Sequence, residues 1–129
     1  MKNARPRRIL YIEDHEDTRE LVTLLLAQKS YEVITGSTIE SGVALAGAEN
    51  FDLYLLDSWL PDGSGLDLCQ RIRQFDQKTP ILFYSADTNE ADKKRAFAAG
   101  ADGYLVKPTD TSELVAEVSR LIASRHKDS

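Results

Sequence analysis

The sequence predicts an α/β fold in which a parallel five-stranded sheet is covered by helices on both faces. Apolar strand-like runs alternate with helical stretches, and the runs are nearly continuous in apolar character, whereas a sheet face in water would show polar residues at every second position. No linker, repeat or low-complexity segment divides the chain. We therefore expect one domain over residues 1–129, with a core at roughly residues 8–124.

The predicted strands are short and mainly apolar. They are Ile9–Ile12, Glu32–Thr35, Leu53–Leu56, Ile81–Tyr84 and Gly103–Val106. In the first and last helices, apolar residues recur at a helical spacing that places them on one face. These residues are Thr18, Leu21, Val22 and Leu25 in the first helix and Leu114, Val118, Leu121 and Ile122 in the last. Both helices are expected to pack that face on the sheet.

Capping residues mark several helix ends. Ser37–Glu40, Ser64–Asp67 and Asp110–Glu113 have the spacing of capping boxes at the starts of the second, third and fifth helices, and Gly100 is placed to end the fourth. The fourth helix offers only alanines and Phe97 as apolar residues, so we expect it to be loosely packed and mobile.

Composition and charge exclude several classes of protein. The net charge of −5 and the pI near 5.0 argue against a nucleic-acid-binding surface, which requires a basic stripe. The single cysteine, Cys69, excludes an internal disulfide and fits a reducing cytosol. No apolar run approaches the roughly 20 residues of a membrane span. We expect a cytoplasmic protein without a membrane or a direct nucleic-acid partner.

Polar side chains follow four of the five predicted strands. In "YIEDHED" the first strand runs directly into the carboxylates of Glu13 and Asp14, while Asp57 follows the third strand, Ser85 the fourth and Lys107 the fifth. Ligands of open parallel sheets bind beyond the carboxyl ends of the strands. We therefore expect these five side chains to meet in one crevice.

This combination of side chains suits phosphoryl chemistry. Clustered carboxylates of Glu13, Asp14 and Asp57 favour a hard divalent cation such as Mg²⁺, or Mn²⁺ in its place, which would also relieve their mutual repulsion. An aspartate such as Asp57 can act as a nucleophile toward phosphorus and form an aspartyl phosphate. Lys107 and Ser85 are suited to bind the phosphoryl oxygens.

The sequence resembles the receiver domains of two-component response regulators. The matching motifs are "ED" at 13–14, "LLD" ending at 57, "LPDGSGLDL" at 60–68, "YSA" at 84–86 and "GADGYLVKP" at 100–108. The resemblance implies a flavodoxin-like, doubly wound (βα)5 fold with the strand order 2-1-3-4-5.

The resemblance also implies a reaction and a metal site. Asp57 is the expected phosphoacceptor, supplied by a phosphohistidine on a sensor histidine kinase or a histidine phosphotransfer protein, and the aspartyl phosphate is then hydrolysed by the domain itself. Glu13 and Asp14 are expected to hold Mg²⁺ together with Asp57 and the backbone carbonyl of Trp59. Such a protein is a catalytic switch more than a metabolic enzyme.

A switching role follows from the same resemblance. Ser85 and Lys107 are expected to bind the phosphoryl group, and Tyr104 to reorient on activation, which changes the surface of the fourth helix, fifth strand and fifth helix. We expect output through contacts with a partner or a domain outside this chain. A phosphorylation-dependent homodimer would place the basic residues 93–95 against Glu113 and Glu117 of a second copy.

Three residues depart from the usual receiver pattern. Glu13 replaces the commoner aspartate, and its longer side chain would reach the metal through water. Trp59 is unusually bulky two residues after the acceptor, and Asp87 adds negative charge two residues after Ser85. Trp59 and Asp87 are therefore expected to modulate the lifetime of the phosphoryl group.

Functions of other classes fit the sequence less well. A phosphatase with an aspartyl nucleophile would usually have a second acid two residues after Asp57, where Trp59 stands. A flavin carrier would need a first loop rich in glycine and hydroxyl groups, and "EDHED" would repel its phosphate. The alternative that stays open is a receiver-like interaction module that signals without phosphorylation.

Overall fold

The fold is a parallel five-stranded sheet with helices on both faces, as predicted. The computed structural model describes residues 5–107 and 111–127. The strands of the chain are β1 (Arg8–Ile12), β2 (Glu32–Gly36), β3 (Leu53–Leu56), β4 (Trp59–Leu60), β5 (Gly63–Ser64), β6 (Ile81–Ser85) and β7 (Gly103–Val106). The main sheet has the order β2-β1-β3-β6-β7 with parallel neighbours, while β4 and β5 form a separate antiparallel ribbon. Since β6 and β7 are the fourth and fifth strands of the main sheet, the order is the expected 2-1-3-4-5.

Two apolar clusters lie on opposite faces of the sheet. The helices are α1 (Glu16–Ala27), α2 (Ile39–Ala48), α3 (Gly65–Arg73), α4 (Glu90–Ala98) and α5 (Thr111–Lys127). Because side chains alternate along a strand, Leu10 and Leu56 pack on the face covered by α2, α3 and α4, and Tyr11 and Leu55 pack on the face covered by α1 and α5. The three central strands, β1, β3 and β6, are therefore buried from both sides, whereas the edge strand β2 is partly exposed.

The packed face of α1 differs from the predicted one. Val22 and Leu26 are its buried residues, whereas Leu21 is 56% exposed, so the placement of Leu21 on the packed face is wrong. The helix packs through Val22 and Leu26, which are one turn apart on the same side of α1. In α5 the prediction is confirmed, since Leu114, Val118 and the two residues at 121–122 are all buried.

The start of α2 also differs from the prediction. Thr38, not Ser37, is the N-cap, and its side chain forms a capping box with Ser41 in place of Glu40. The carboxylate of Asp62, on the loop between β4 and β5, accepts hydrogen bonds from the amides of residues 39 and 40 at 2.8 and 3.2 Å. This cap comes from a distant part of the chain, so the local sequence does not reveal it.

The remaining helix ends follow the sequence more closely. The Ser64 hydroxyl caps α3 by accepting a bond from the amide of residue 67, while Asp110, the predicted cap of α5, lies outside the described residues. The fourth helix ends as predicted, because Gly100 adopts a φ of +115° that favours glycine. Of the residues of α4, only Ala96 is buried and Phe97 is exposed, which agrees with loose packing.

Candidate functional site

The carboxyl ends of β1 and β3 bring three carboxylates together. Ile12 pairs with Leu56 in the parallel register, so the next residues, Glu13 and Asp57, leave the sheet side by side. Oxygen atoms of Glu13, Asp14 and Asp57 all lie within 4.8 Å of one another. This is the cluster that the sequence predicts, and its hard oxygen donors fit a divalent cation.

Glu13 is the most deeply buried of the three acids. The residue is 1% exposed, and the Lys107 ammonium lies 2.5 Å from its Oε1. The Tyr11 hydroxyl donates a longer hydrogen bond of 3.3 Å to the same oxygen, and the amide of His15 donates one of 3.2 Å to Oε2. A buried carboxylate is costly without partners, and these donors offset that cost.

Asp57 is set for a different role from Glu13. It is 8% exposed, its Oδ1 accepts a 2.8 Å hydrogen bond from the Ser58 amide, and the Lys107 ammonium lies 3.7 Å away. Burial raises the pKa of Asp57 to about 6, an effect that Lys107 opposes and the charge of Glu13 reinforces. The carboxylate is thus close to a cationic side chain without a short bond to it, and both of these contacts are made by Oδ1.

Ser85 and Lys107 are linked through the backbone at the ends of β6 and β7. The Lys107 amide donates a 2.7 Å hydrogen bond to the Ser85 carbonyl. Ser85 is fully buried, and its hydroxyl accepts a 3.0 Å hydrogen bond from the Asp87 amide. The Lys107 ammonium also lies 5.4 Å from the centre of the Tyr84 ring, a cation–π contact that supports it from the side.

Trp59 lies on the ribbon that follows Asp57, and its side chain is 64% exposed. The loop is closed by a 2.7 Å hydrogen bond from the Gly65 amide to the Ser58 carbonyl. A Cβ on Gly65 would lie 2.1 Å from the Asp57 carbonyl oxygen, so only glycine allows this close approach. The loop therefore has a fixed path past Asp57, and the exposed indole of Trp59 lies on this loop.

Tyr104 connects β7 with the loop that precedes α4. Its hydroxyl donates a 2.9 Å hydrogen bond to the Asp87 carbonyl, and its ring stacks on Phe83 with 5.9 Å between the ring centres. The Lys93 ammonium lies 5.9 Å from the Tyr104 ring centre on the α4 side. The predicted switch residue is thus in contact with the predicted modulating residue.

Three further residues shape this site, and of these the sequence did not point to Tyr11 or Arg19. Tyr11 lies two positions before Glu13, and the alternation of side chains along an extended chain could have revealed that the two are neighbours. His15 caps α1 through its side chain, and Arg19 donates a 2.8 Å hydrogen bond to the Glu13 carbonyl. Histidine is an uncommon cap, and the Arg19 contact depends on the folded path of the loop.

Comparisons with known proteins identify the class to which this fold and site belong. The response regulator receiver domain family matches residues 9–119. The cell cycle transcriptional regulator CtrA of Caulobacter vibrioides is 36% identical over 115 residues, which cover 89% of this chain and 50% of CtrA. The chain therefore belongs to the response regulator receiver family.

Solved structures agree with this assignment. A CheY-like receiver domain protein from Methanospirillum hungatei shares the fold with a TM-score of 0.93 at 24% identity, covering 96% of this chain and 99% of that one. The receiver domain of the sensor histidine kinase PA1611 from Pseudomonas aeruginosa, solved with a magnesium ion in its active site cleft, has a TM-score of 0.85 at 26% identity, covering 92% of this chain and 98% of that one.

The comparisons also limit one expectation. The chain spans about half the length of the curated relatives that it matches, and one of them is named a transcriptional regulator. That conflicts in part with the expectation of no direct nucleic-acid partner. The expectation rested on the acidic net charge of the 129 residues given, which span only half of such a relative. Among the described residues, no helix has the length and apolar character needed to cross a membrane.

Proposed function

We propose that Asp57 accepts a phosphoryl group from a phosphohistidine in a Mg²⁺-dependent reaction and that the domain then hydrolyses the aspartyl phosphate. The observation that carries this proposal is the position of the Asp57 carboxylate, which lies among two further carboxylates and 3.7 Å from the Lys107 ammonium. Membership of the receiver family supports it. The intact set of polar residues weighs against a module that signals without phosphorylation.

The proposed transfer is a substitution at phosphorus. An oxygen of the Asp57 carboxylate attacks phosphorus, the bond from phosphorus to the donor imidazole nitrogen breaks, and the imidazole leaves with the bonding electron pair. Lys107 offsets negative charge on the transferred oxygens, and the Ser85 hydroxyl donates a hydrogen bond to one of them. In hydrolysis, water attacks phosphorus, and the Asp57 carboxylate and inorganic phosphate are released.

Glu13, Asp14 and Asp57 are the residues that would hold the metal, with the backbone carbonyl of Trp59 as a further ligand. A bound Mg²⁺ would supply positive charge that offsets the charge of the acids and of the phosphoryl oxygens. The Oε1 atom of Glu13 is already in a 2.5 Å ion pair with the Lys107 ammonium, which supports contact between Glu13 and the metal through water. The magnesium-bound PA1611 receiver supports the choice of ion.

The proposed switch involves Ser85 and Tyr104. A phosphoryl group on Asp57 draws the Ser85 side chain toward it, and this frees space for Tyr104 and biases α4 and β7 between two arrangements. The hydrogen bond from the Tyr104 hydroxyl to the Asp87 carbonyl joins β7 to the loop before α4, so a reorientation of Tyr104 would break it. Hydrogen exchange should change over residues 86–107 when a phosphoryl mimic binds, and a change confined to residues 57–60 would contradict the switch.

The proposed partners are a sensor histidine kinase or a histidine phosphotransfer protein in the cytoplasm, and an output protein or domain that reads the switch. A homodimer through α4 and α5 is a further proposal. In this chain, Lys93 already pairs with Glu90 at 3.6 Å and Glu117 with Arg120 at 2.6 Å. The dimer would therefore replace ion pairs within one chain by ion pairs between two chains. Because the net gain is small and the charges are exposed, the dimer should be weak and sensitive to salt.

Phosphate incorporation tests the proposal directly. Wild type incubated with a small phosphodonor and Mg²⁺ should gain one acid-labile phosphate, whereas Asp57→Asn should gain none because the amide lacks the nucleophilic oxygen. Asp67→Asn, which changes an exposed aspartate of α3, is the matched control and should be labelled like wild type. Labelling of Asp57→Asn at the wild-type level would contradict the assignment.

A further inference from the structure

Arg19 is the only basic residue of α1, and it lies beside the acidic loop that joins β1 to α1. Several carboxylates are close to it in sequence, yet in the described part of the chain Arg19 makes no ion pair with any of them. Its side chain donates to backbone carbonyls instead. An arginine that binds backbone in preference to neighbouring acids has a geometric role in the loop.

The guanidinium contacts the two carbonyls on either side of the Asp14 Cα atom. Its Nη1 lies 2.8 Å from the Glu13 carbonyl oxygen and 3.5 Å from the Asp14 carbonyl oxygen. The first is a charge-assisted hydrogen bond of ordinary length, and the second is long and weak. Since these peptide planes define the backbone at Asp14, the contact restricts the direction in which the Asp14 side chain leaves the loop.

The position of the Asp14 carboxylate depends on the backbone of the loop, because no hydrogen bond among the described residues holds the side chain itself. The residue is exposed. Glu13, in contrast, is held through its side chain by Lys107, and its amide donates a 3.0 Å hydrogen bond to the Gly36 carbonyl. The Asp14 carboxylate nevertheless lies within 4.8 Å of the other two acids.

We infer that Arg19 is a positioning residue that aims the Asp14 carboxylate at the cation site by holding the backbone on both sides of it. This inference rests on the proposed function, because it assigns Arg19 a part in metal binding. It does not make Arg19 a ligand, since a guanidinium cannot bind a cation.

Charge and geometry predict opposite effects for the loss of this side chain. Removing a positive charge near the site should tighten Mg²⁺ binding, most strongly at low ionic strength. Removing the clamp should weaken binding at every ionic strength, because Asp14 must then be ordered when the metal binds. The sign of the change therefore separates positioning from simple electrostatics.

The experiment compares Arg19→Met and Arg19→Lys with wild type and with Lys29→Met, which removes an exposed positive charge just beyond the other end of α1. The Mg²⁺ Kd is measured on the whole chain by Trp59 fluorescence and by amide NMR shifts of the acidic loop, at low and at physiological ionic strength. Arg19→Met should weaken Mg²⁺ about tenfold, and Arg19→Lys, which keeps the charge and a donor, should be intermediate. Lys29→Met should stay within about twofold of wild type.

The free energy of unfolding without Mg²⁺ is measured in parallel, so that loss of fold is distinguished from loss of positioning. If Arg19→Met does not fold, Arg19→Lys decides, and a Kd equal to that of wild type overturns the inference. Unchanged or tighter Mg²⁺ binding by a folded Arg19→Met also overturns it. Failure of wild type itself to bind Mg²⁺ would overturn the proposed function. Equal Mg²⁺ binding by wild type and variant would overturn only the role of Arg19, so the two results are distinguishable.

Discussion

Glu13 shows how a single residue in this site serves both structure and chemistry. Its carboxylate is buried against Lys107, and the three donors that surround it offset the cost of removing it from water. The same pair places the Lys107 ammonium within 3.7 Å of Asp57. We infer that Glu13 positions the lysine as well as contributing charge to the proposed metal site.

The pKa of Asp57 leads to a prediction about stability in the absence of divalent cations. Burial raises this pKa from 3.8 to about 6, so the folded state binds the proton more tightly than the unfolded state. The resulting stability is fully present below about pH 4 and is lost as pH rises through about 6. As pH rises over this range, the free energy of unfolding of metal-free wild type should therefore fall by on the order of 2 kcal/mol relative to that of Asp57→Asn.

Chemical denaturation of both proteins in a chelating buffer, from about pH 4 to about pH 7, measures this difference. The comparison cancels the contributions of the other carboxylates, such as Asp76. Burial raises the pKa of Asp76, but hydrogen bonds from Thr79 lower it, and the result is a pKa of about 2. A difference between the two proteins that does not change with pH would show that Asp57 titrates as in the unfolded chain.

At the scale of elements, the sequence predicts strands better than helix faces and helix starts. Each strand of the main sheet lies within one residue of its predicted bounds. The central strands β1, β3 and β6 are the clearest, because burial on both faces makes each of them a nearly continuous apolar run. The face of α1 is harder to predict, since Leu21 and Leu24 are apolar but exposed. Local pattern does not distinguish an apolar residue in the core from one on the surface.

Two further elements depend on contacts that only the folded chain makes. The cap that Asp62 provides for α2 comes from 23 residues along the chain. The ribbon of β4 and β5 has two residues in each strand, too few for a periodic pattern. It nevertheless sets the path of the loop from Asp57 to α3.

Two glycines provide a matched test of this loop. Gly65→Ala should destabilise the fold by about 2 kcal/mol or more, because the new Cβ would meet the Asp57 carbonyl oxygen at 2.1 Å and the backbone must shift. Gly47→Ala, within α2, meets no atom within 4 Å and should stabilise the fold by about 0.5–1 kcal/mol. Equal stability of the two variants in denaturant unfolding would contradict the close approach at Gly65.

At the scale of the molecule, the sequence predicts which residues meet but not how they are paired. The positions of Glu13, Asp57, Ser85 and Lys107 at strand ends follow from the alternation of strands and helices. The Lys107 ammonium lies 2.5 Å from Glu13 and 3.7 Å from Asp57, and the sequence does not indicate which of the two acids is its close partner. Distances of this kind are set by the whole fold and have no counterpart in the sequence pattern.

Mg²⁺ should stabilise the whole molecule through this one site. Binding only to the folded chain raises its melting temperature by an amount set by the ion concentration relative to Kd. Asp14→Ala should remove most of this rise, because it removes the exposed carboxylate of the cluster. Thermal unfolding with and without Mg²⁺ measures the effect, with Asp17→Ala, an exposed acid of α1, as the control. An unchanged rise in Asp14→Ala would place the ion elsewhere.

The central claim is that Asp57 carries the phosphoryl group, and the direct test is to locate the modified residue. Borohydride reduces an acyl phosphate so that the acceptor aspartate becomes homoserine, which mass spectrometry of peptides can assign to one position. After incubation with a small phosphodonor and Mg²⁺, we expect homoserine at position 57 and not in the sample without donor. Homoserine at another aspartate, or none in a sample that has gained phosphate, would contradict the claim.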